Sequence, residues 1–188
     1  MNKPSLALIL AATLIAAAAT PATAAGPYAD QQARAVTSLS DADIAELLAG
    51  GGWGLAKPAE INGYPGPRHV LDLGRELALD DTQKAAVTAV FARMNGEARR
   101  VGAAYVAAER ALDRAFRSGR IDGAALAGLV AEAGRLRDRL RQVHLAAHLE
   151  TTPLLSPEQR RLYRHLRGYD AGAAGAGHGG PHPGAGHR

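Results

Sequence analysis

His144 and His148 stand four residues apart in a stretch of helical periodicity, so both imidazoles project from one helix face and can ligate a single divalent ion. A third ligand would be His69 or an acid from the opposing helix, and imidazole donors of this kind suit zinc, nickel or copper. The same two histidines can also serve as boundary side chains beside Val143 and Ala147. Three more, His178, His182 and His187, lie far apart in a Gly-, Ala- and Pro-rich stretch from Ala171 onward, where they could hold such ions weakly but form no preorganised site. The chain has no cysteine, which removes thiolate ligands, thiol nucleophiles and disulfides. It also lacks G-x-S-x-G, H-E-x-x-H and a phosphate-cradling glycine loop. Its carboxylates fall at helix caps or near arginines, as Glu109 and Asp113 do beside Arg110, Arg114 and Arg117. A non-enzymatic protein that requires no cofactor is expected, with zinc, nickel or copper as the ions it would take.

The elements that must position these residues are marked by a phrase that occurs twice. Leu79-Asp80-Asp81-Thr82-Gln83 and Leu155-Ser156-Pro157-Glu158-Gln159 each place a capping residue three positions before a glutamine. The Asp80 or Ser156 oxygen can accept from the first turn while Gln83 or Gln159 reaches back, a capping box, and Pro157 suits the first helical position. Between the two phrases, Val87, Val90, Met94, Ala98, Val101, Tyr105, Ala108, Leu112 and Ala115 recur mostly at alternating spacings of three and four. A helix from about Asp81 to Arg117 would be ~55 Å long. After Ser118-Gly119-Arg120 and the cap Asp122, the code continues in Leu126, Leu129, Ala133, Leu136, Leu140, Val143 and Ala147 until Thr151-Thr152-Pro153. A shorter helix from Pro67, with Val70, Leu73 and Leu77 and ending at Leu79-Asp80, precedes this hairpin. Another, from Pro157 to Arg167 with Leu162 and Leu166 inward, follows it. The expected fold is all-α, a long antiparallel hairpin within a four-helix domain at 67–169. Two helices of that length cannot cover each other's apolar faces, so a homodimer, or a bent hairpin with an apolar concave side, is expected.

Residues 25–66 read as a short helix from Asp41 to Leu48, capped by Ser40 and ended by Gly50-Gly51-Gly52, and then a Gly/Pro-rich loop that Trp53 and Tyr64 anchor on the helices. Residues 1–24 read as a cleavable signal peptide: Lys3, an apolar run Leu6 to Ala19, and a small-x-small site at Ala22-Thr23-Ala24. The expected location is a bacterial periplasm, with no membrane span after cleavage and, because the chain is exported, no nucleic-acid partner despite a net charge of +4. The composition of 170–188 predicts a disordered tail. The charge is uneven: Arg93 to Arg167 carries 15 arginines and eight acids, while Pro27 to Ala92 carries five bases and nine acids. A basic region of this kind can steer anionic partners or pair with the acidic one.

The paired Leu-x-x-x-Gln helix starts, flanking a long helical hairpin behind a signal peptide, resemble the LTxxQ-motif family of periplasmic proteins. That family includes the Spy and CpxP types and the metal-responsive ZraP and CnrX types. His148-Leu149-Glu150-Thr151 followed by Leu155-Ser156-Pro157-Glu158-Gln159 is the most specific part, and the likeness runs from about Arg68 to Tyr169. The first phrase departs from the pattern in having Asp80 where Thr is usual. The resemblance implies a four-helix protomer that dimerises into a curved cradle and binds unfolded or misfolded envelope proteins without ATP, or a periplasmic sensor domain, in envelope or metal stress. The contacts it suggests here are Arg93, Arg100, Arg114, Arg117, Arg135, Arg139 and Arg141. For the metal-sensing relatives it implies ligands at His69, His144 and His148, and a glutamate from helix two that neither Glu97 nor Glu109 matches. A periplasmic metal sensor or metal-binding protein is therefore the alternative function.

Overall fold

In the computed structural model residues 26–169 are described; the signal peptide and the tail expected from the sequence lie outside the described residues. Residues 26–32, the described part of a first unit, contain one 3-10 turn, Ala29–Gln31. From Ala33 onward the chain is a second unit, whose described residues form six α-helices: α1 Asp41–Ala49, α2 Lys57–Ile61, α3 Pro67–Asp72, α4 Asp81–Arg117, α5 Gly123–Thr151 and α6 Pro157–Leu166. A 3-10 turn, Thr152–Leu154, links the last two, and no strand occurs among the described residues. The fold is all-α, with α4 and α5 packed together as the long hairpin and α3 to α6 filling the region expected to hold four helices. No helix among the described residues is long and apolar enough to cross a membrane.

Three helices begin in capping boxes, in which the cap side chain accepts a backbone N–H and the residue three on reaches back: Ser40 with Asp43, Asp80 with Gln83, and Ser156 with Gln159. The two glutamines go further. Gln83 Nε2 donates to Gln159 Oε1 at 2.8 Å, and Gln159 Nε2 donates to Gln83 Oε1 at 2.9 Å. Each amide also caps the carbonyl of the other phrase's approach, Gln83 at Leu154 O (2.9 Å) and Gln159 at Leu77 O (3.2 Å). Beneath this clasp Leu79 and Leu155 are buried in one cluster with Val70, Leu77, Val87 and Tyr163. The repeated phrase therefore starts two helices and joins them: its leucine enters a shared core, its cap begins its own helix, and its glutamine bonds the other copy.

The main core lies further along the hairpin. Ala98, Val101, Tyr105 and Val106 of α4 and Ala133, Leu136 and Leu140 of α5 are buried together with Val36, Leu39, Ile44, Leu47 and Leu55 from the N-terminal segment. α1 thus covers one flank of the hairpin. At Gly102 a Cβ would collide with the Leu47 carbonyl, so the close approach of α1 and α4 requires glycine there. Trp53 anchors its loop as expected, with its ring 5.8 Å from that of Tyr105 and its indole N–H donating to Asp43 Oδ1 at 2.7 Å.

The structure corrects four expectations. The helix from Pro67 ends at Asp72, and Leu73 to Ala78 form turns in which Ala78 takes φ +49°. A continued helix would set Leu77 and Leu79 about 200° apart, whereas the turn sends both inward. Leu162 and Leu166 are 39% and 41% exposed, and Tyr163 is fully buried in their place. The inward edge of α6 lies one residue over, along Gln159, Tyr163 and Arg167, because a buried carboxylate and the glutamine clasp need donors there. Tyr64 is exposed, and it is its backbone that holds the loop, the carbonyl bonded to His148 Nδ1 and the N–H donating to the Ala59 carbonyl. Finally, the expected loop contains the short helix α2, with Pro58 in its first turn where no intrahelical N–H bond is lost.

Candidate functional site

α2 carries the least expected residue of the site. Glu60 is buried, and its Oε1 accepts from Tyr163 Oη (2.6 Å), Arg167 Nε (3.0 Å) and Tyr169 Oη (3.3 Å). Burial, and then the bond to Glu60, raises the Tyr163 pKa, so the phenol stays protonated and donating. Glu60 Oε2 is buried without a hydrogen-bond partner and lies 3.8 Å from His148 Nδ1.

His148 Nδ1 lies 2.6 Å from the Tyr64 carbonyl oxygen. A carbonyl only accepts, so Nδ1 carries the proton, and in the neutral ring Nε2 keeps its lone pair. That edge of the ring packs on Gly66, where a Cβ would stand 2.8 Å from Cε1 and 3.0 Å from Nε2; glycine makes room for the imidazole. One helical turn earlier, His144 is 3% exposed, and its Nε2 has no partner among the described residues. Burial first, and the adjacent His148 second, lowers its pKa below the ordinary 6.5, so His144 is neutral at pH 7. His69 on α3 is partly exposed, its Nδ1 3.9 Å from Asp72, and burial followed by the Arg167 charge lowers its pKa as well.

All three histidines and Glu60 line one cleft of about 540 Å³, shared with the Met94 thioether from α4 and with Tyr169. The periodicity of α5 already put His144 and His148 on one face; the tertiary fold added His69 across the gap. Glu60, Met94 and Tyr169 were not found by sequence reasoning. Glu60 sits where a loop was expected, and only its isolation from the arginine-rich helices marked it. The donor set of imidazole nitrogens, a carboxylate and a thioether suits a borderline divalent cation, and two of its buried donor atoms lack a protein partner. Among the described residues, however, no three His, Asp or Glu side chains are drawn together closely enough to hold an ion.

The arginines suggested as client contacts are dispersed over the surface of the hairpin. Arg93 pairs with Glu150 (2.7 Å), Arg117 with Asp113 (2.9 Å), Arg135 with Glu132 (2.7 Å), Arg139 with Glu97 (3.3 Å), and Arg100 with Glu97. Arg114 and Arg141 are exposed. Glu109 accepts from Ser38 Oγ at 2.6 Å, and Asp113 also bonds Thr37, so these acids tie the N-terminal segment down as well as meeting arginine.

In comparisons with known proteins, neither a curated protein nor a solved structure matches this chain. The model of one family, described as heavy-metal resistance, matches residues 47–161, a span that holds both glutamine phrases, the hairpin, Glu60 and all three cleft histidines. With the all-α hairpin and its clasped Leu-x-x-x-Gln phrases, that match establishes that the chain belongs to the heavy-metal resistance family, the group of the LTxxQ-type proteins.

Proposed function

We propose that this protein acts in heavy-metal resistance in the periplasm by binding a divalent cation of the zinc, nickel or copper type in the cleft between α2, α3, α4 and α5. The observation that carries this reading is the pair of buried donor atoms without protein partners, His144 Nε2 and Glu60 Oε2, on the walls of one cleft. Neutral imidazoles bind such ions without first losing a proton, and the burial of His144 keeps it neutral at pH 7. His144, His148 and Glu60 would have to draw together around the ion on binding, since as they stand no three His, Asp or Glu side chains among the described residues are close enough to share one, with His69 and Met94 beside them. Tyr163 and Arg167 position the Glu60 carboxylate through Oε1, and the Tyr64 carbonyl fixes the His148 tautomer. The test is calorimetric titration of the full chain with zinc, nickel and copper. A saturable 1:1 site that weakens at least tenfold in His144→Ala and in His148→Ala supports the reading; binding that ignores both substitutions refutes it.

A second reading, Spy-like binding of unfolded envelope proteins by a homodimer, draws support from the far end of the hairpin. There Phe116, Leu126 and Val130 are 56%, 37% and 51% exposed, near Arg114 and Arg117. It predicts that aggregation of a reduced model client is suppressed with chelator present, and that Arg114→Glu with Arg117→Glu weakens the effect. A chain that leaves client aggregation unchanged in chelator would exclude it.

A further inference from the structure

We infer that the cleft also binds monovalent copper, at a soft site made of the Met94 thioether of α4 and the His144 and His148 imidazoles of α5. This rests on the reading of the cleft as a metal site and adds a second ion to it, of another charge and held by another donor set.

The chain has no cysteine and two methionines, Met1 and Met94, so Met94 carries the one sulfur among the described residues. It lines the cleft together with His144 and His148. Two ion pairs across the hairpin set the register there, Arg93 with Glu150 at 2.7 Å and Glu97 with Arg139 at 3.3 Å. Met94 falls between Arg93 and Glu97, and His144 and His148 fall between Arg139 and Glu150. The thioether and the two imidazoles therefore share one stretch of the α4–α5 hairpin.

Both imidazoles commit Nδ1 to the backbone and keep Nε2 for a ligand. At His148 the Nδ1 proton goes to the Tyr64 carbonyl, 2.6 Å away. At His144 burial, and then His148, lowers the pKa, while a hydrogen bond to the Gly51 backbone opposes them. A backbone group that favours the protonated ring is an accepting carbonyl, and Nε2 has no partner, so His144 donates through Nδ1 as well. Metal-bound imidazoles are ordinarily held in this way, with the second nitrogen donating to a carbonyl or carboxylate.

A thioether is a soft donor that selects copper(I), whereas carboxylate oxygens suit harder ions. Zinc takes a tetrahedral set as a rule, and among the described residues no three His, Asp or Glu side chains are close enough to share an ion. Copper(I), with a filled d shell and a single charge, accepts linear or trigonal coordination, which two imidazoles and one thioether complete. The charges of the cleft favour the same ion. Glu46 already accepts from the Trp53 backbone N–H at 2.7 Å, and Glu60 from Tyr163, Arg167 and Tyr169, while Lys57 and Arg68 line the same walls. One positive charge costs less to bury among such groups than two.

The experiment titrates the full chain, its methionine methyls isotope-labelled for NMR, with copper(I) under ascorbate against the chelator bicinchoninate, and with zinc by calorimetry. Copper(I) is diamagnetic, so the methyl resonances stay visible, and the one missing from Met94→Leu identifies Met94. We expect saturable 1:1 copper(I) binding that moves the Met94 resonance. Met94→Leu should weaken copper(I) binding about tenfold or more, at least what the loss of an outer partner of a metal ligand costs, and should lower the ratio of copper(I) to zinc affinity. Leucine conserves the volume of methionine, a swap that packed sites tolerate, and circular dichroism checks the fold. A Met94 resonance unmoved at saturation, or copper(I) affinity unaltered in Met94→Leu, overturns the inference; zinc binding that still depends on His144 and His148 then leaves the divalent reading standing. Copper(I) binding that needs Met94 in a chain that binds no zinc supports the inference and removes the divalent reading. Binding of neither ion overturns both.

Discussion

Gln83 and Gln159 each satisfy an N-cap amide, a carbonyl of the other phrase and one another, a reciprocal arrangement in which every amide atom is used. Removing one glutamine leaves the other's donor and acceptor half-satisfied and strands a carbonyl, at a cost of about 1–3 kcal/mol. Gln83→Ala and Gln159→Ala are each expected to destabilise by that amount, and the double variant by clearly less than the sum, as a double-mutant cycle in urea would measure. Strict additivity would mean that the clasp does not couple the two phrases. Asp43 carries a pH dependence. The Ser40 hydroxyl, and next the Trp53 indole N–H, lower its pKa below the ordinary 3.8, so the unfolded chain takes up this proton before the folded one does. Its contribution is complete above about pH 4 and is lost as the pH falls through the folded value. The melting temperature of the parent chain should therefore fall more steeply below pH 4 than that of Asp43→Asn; parallel curves would contradict this.

At the scale of elements, the short helices decide what the long ones can do. α2 is five residues long, yet it delivers Glu60 to Tyr163, Arg167 and Tyr169 and so fixes both the rotation of α6 and one wall of the cleft. α1 packs on the hairpin through the contact of Leu47 with Gly102, and its Glu46 and Ala49 line the same cleft. Gly102→Ala is expected to push α1 away and to cost about 1–3 kcal/mol. Glycine-to-alanine would otherwise favour helix α4 by about 1 kcal/mol, so the sign of the change in melting temperature decides between packing and propensity. Trp53 fluorescence should shift with it, since Trp53 packs on Tyr105 within the same cluster.

For the molecule as a whole, among the described residues, burial along the α4–α5 hairpin is concentrated toward its open end, where the two glutamine phrases meet, and its middle. From Leu112 to Leu129 no α4 or α5 side chain is fully buried, and Phe116, Leu126 and Val130 are exposed. In the proposed homodimer this is the part of the apolar stripe that the second copy would cover. Phe116→Ser with Val130→Ser should lower self-association in light scattering and leave the melting temperature nearly unchanged at low concentration. A change in stability without a change in mass would place those residues in the protomer's own core.

The sequence by itself determined the elements. The three-four spacing of apolar residues produced α4 and α5, the capping boxes at Ser40, Asp80 and Ser156 set three helix starts, and the four-residue spacing of His144 and His148 put them on one face. These are local effects, fixed by hydrogen bonds and periodicity within a few residues. The tertiary structure decided the rest. The turn at Ala78, the inward face of α6 and the role of the glutamines as a clasp all depend on groups 70 or more residues away in sequence. So does the cleft: Glu60 has no local signal, and becomes a site residue only because Tyr163, Arg167 and Tyr169 converge on one of its oxygens while the other faces His148. A buried carboxylate is tolerated only where such distant donors meet it, and no spacing within its own segment can encode that.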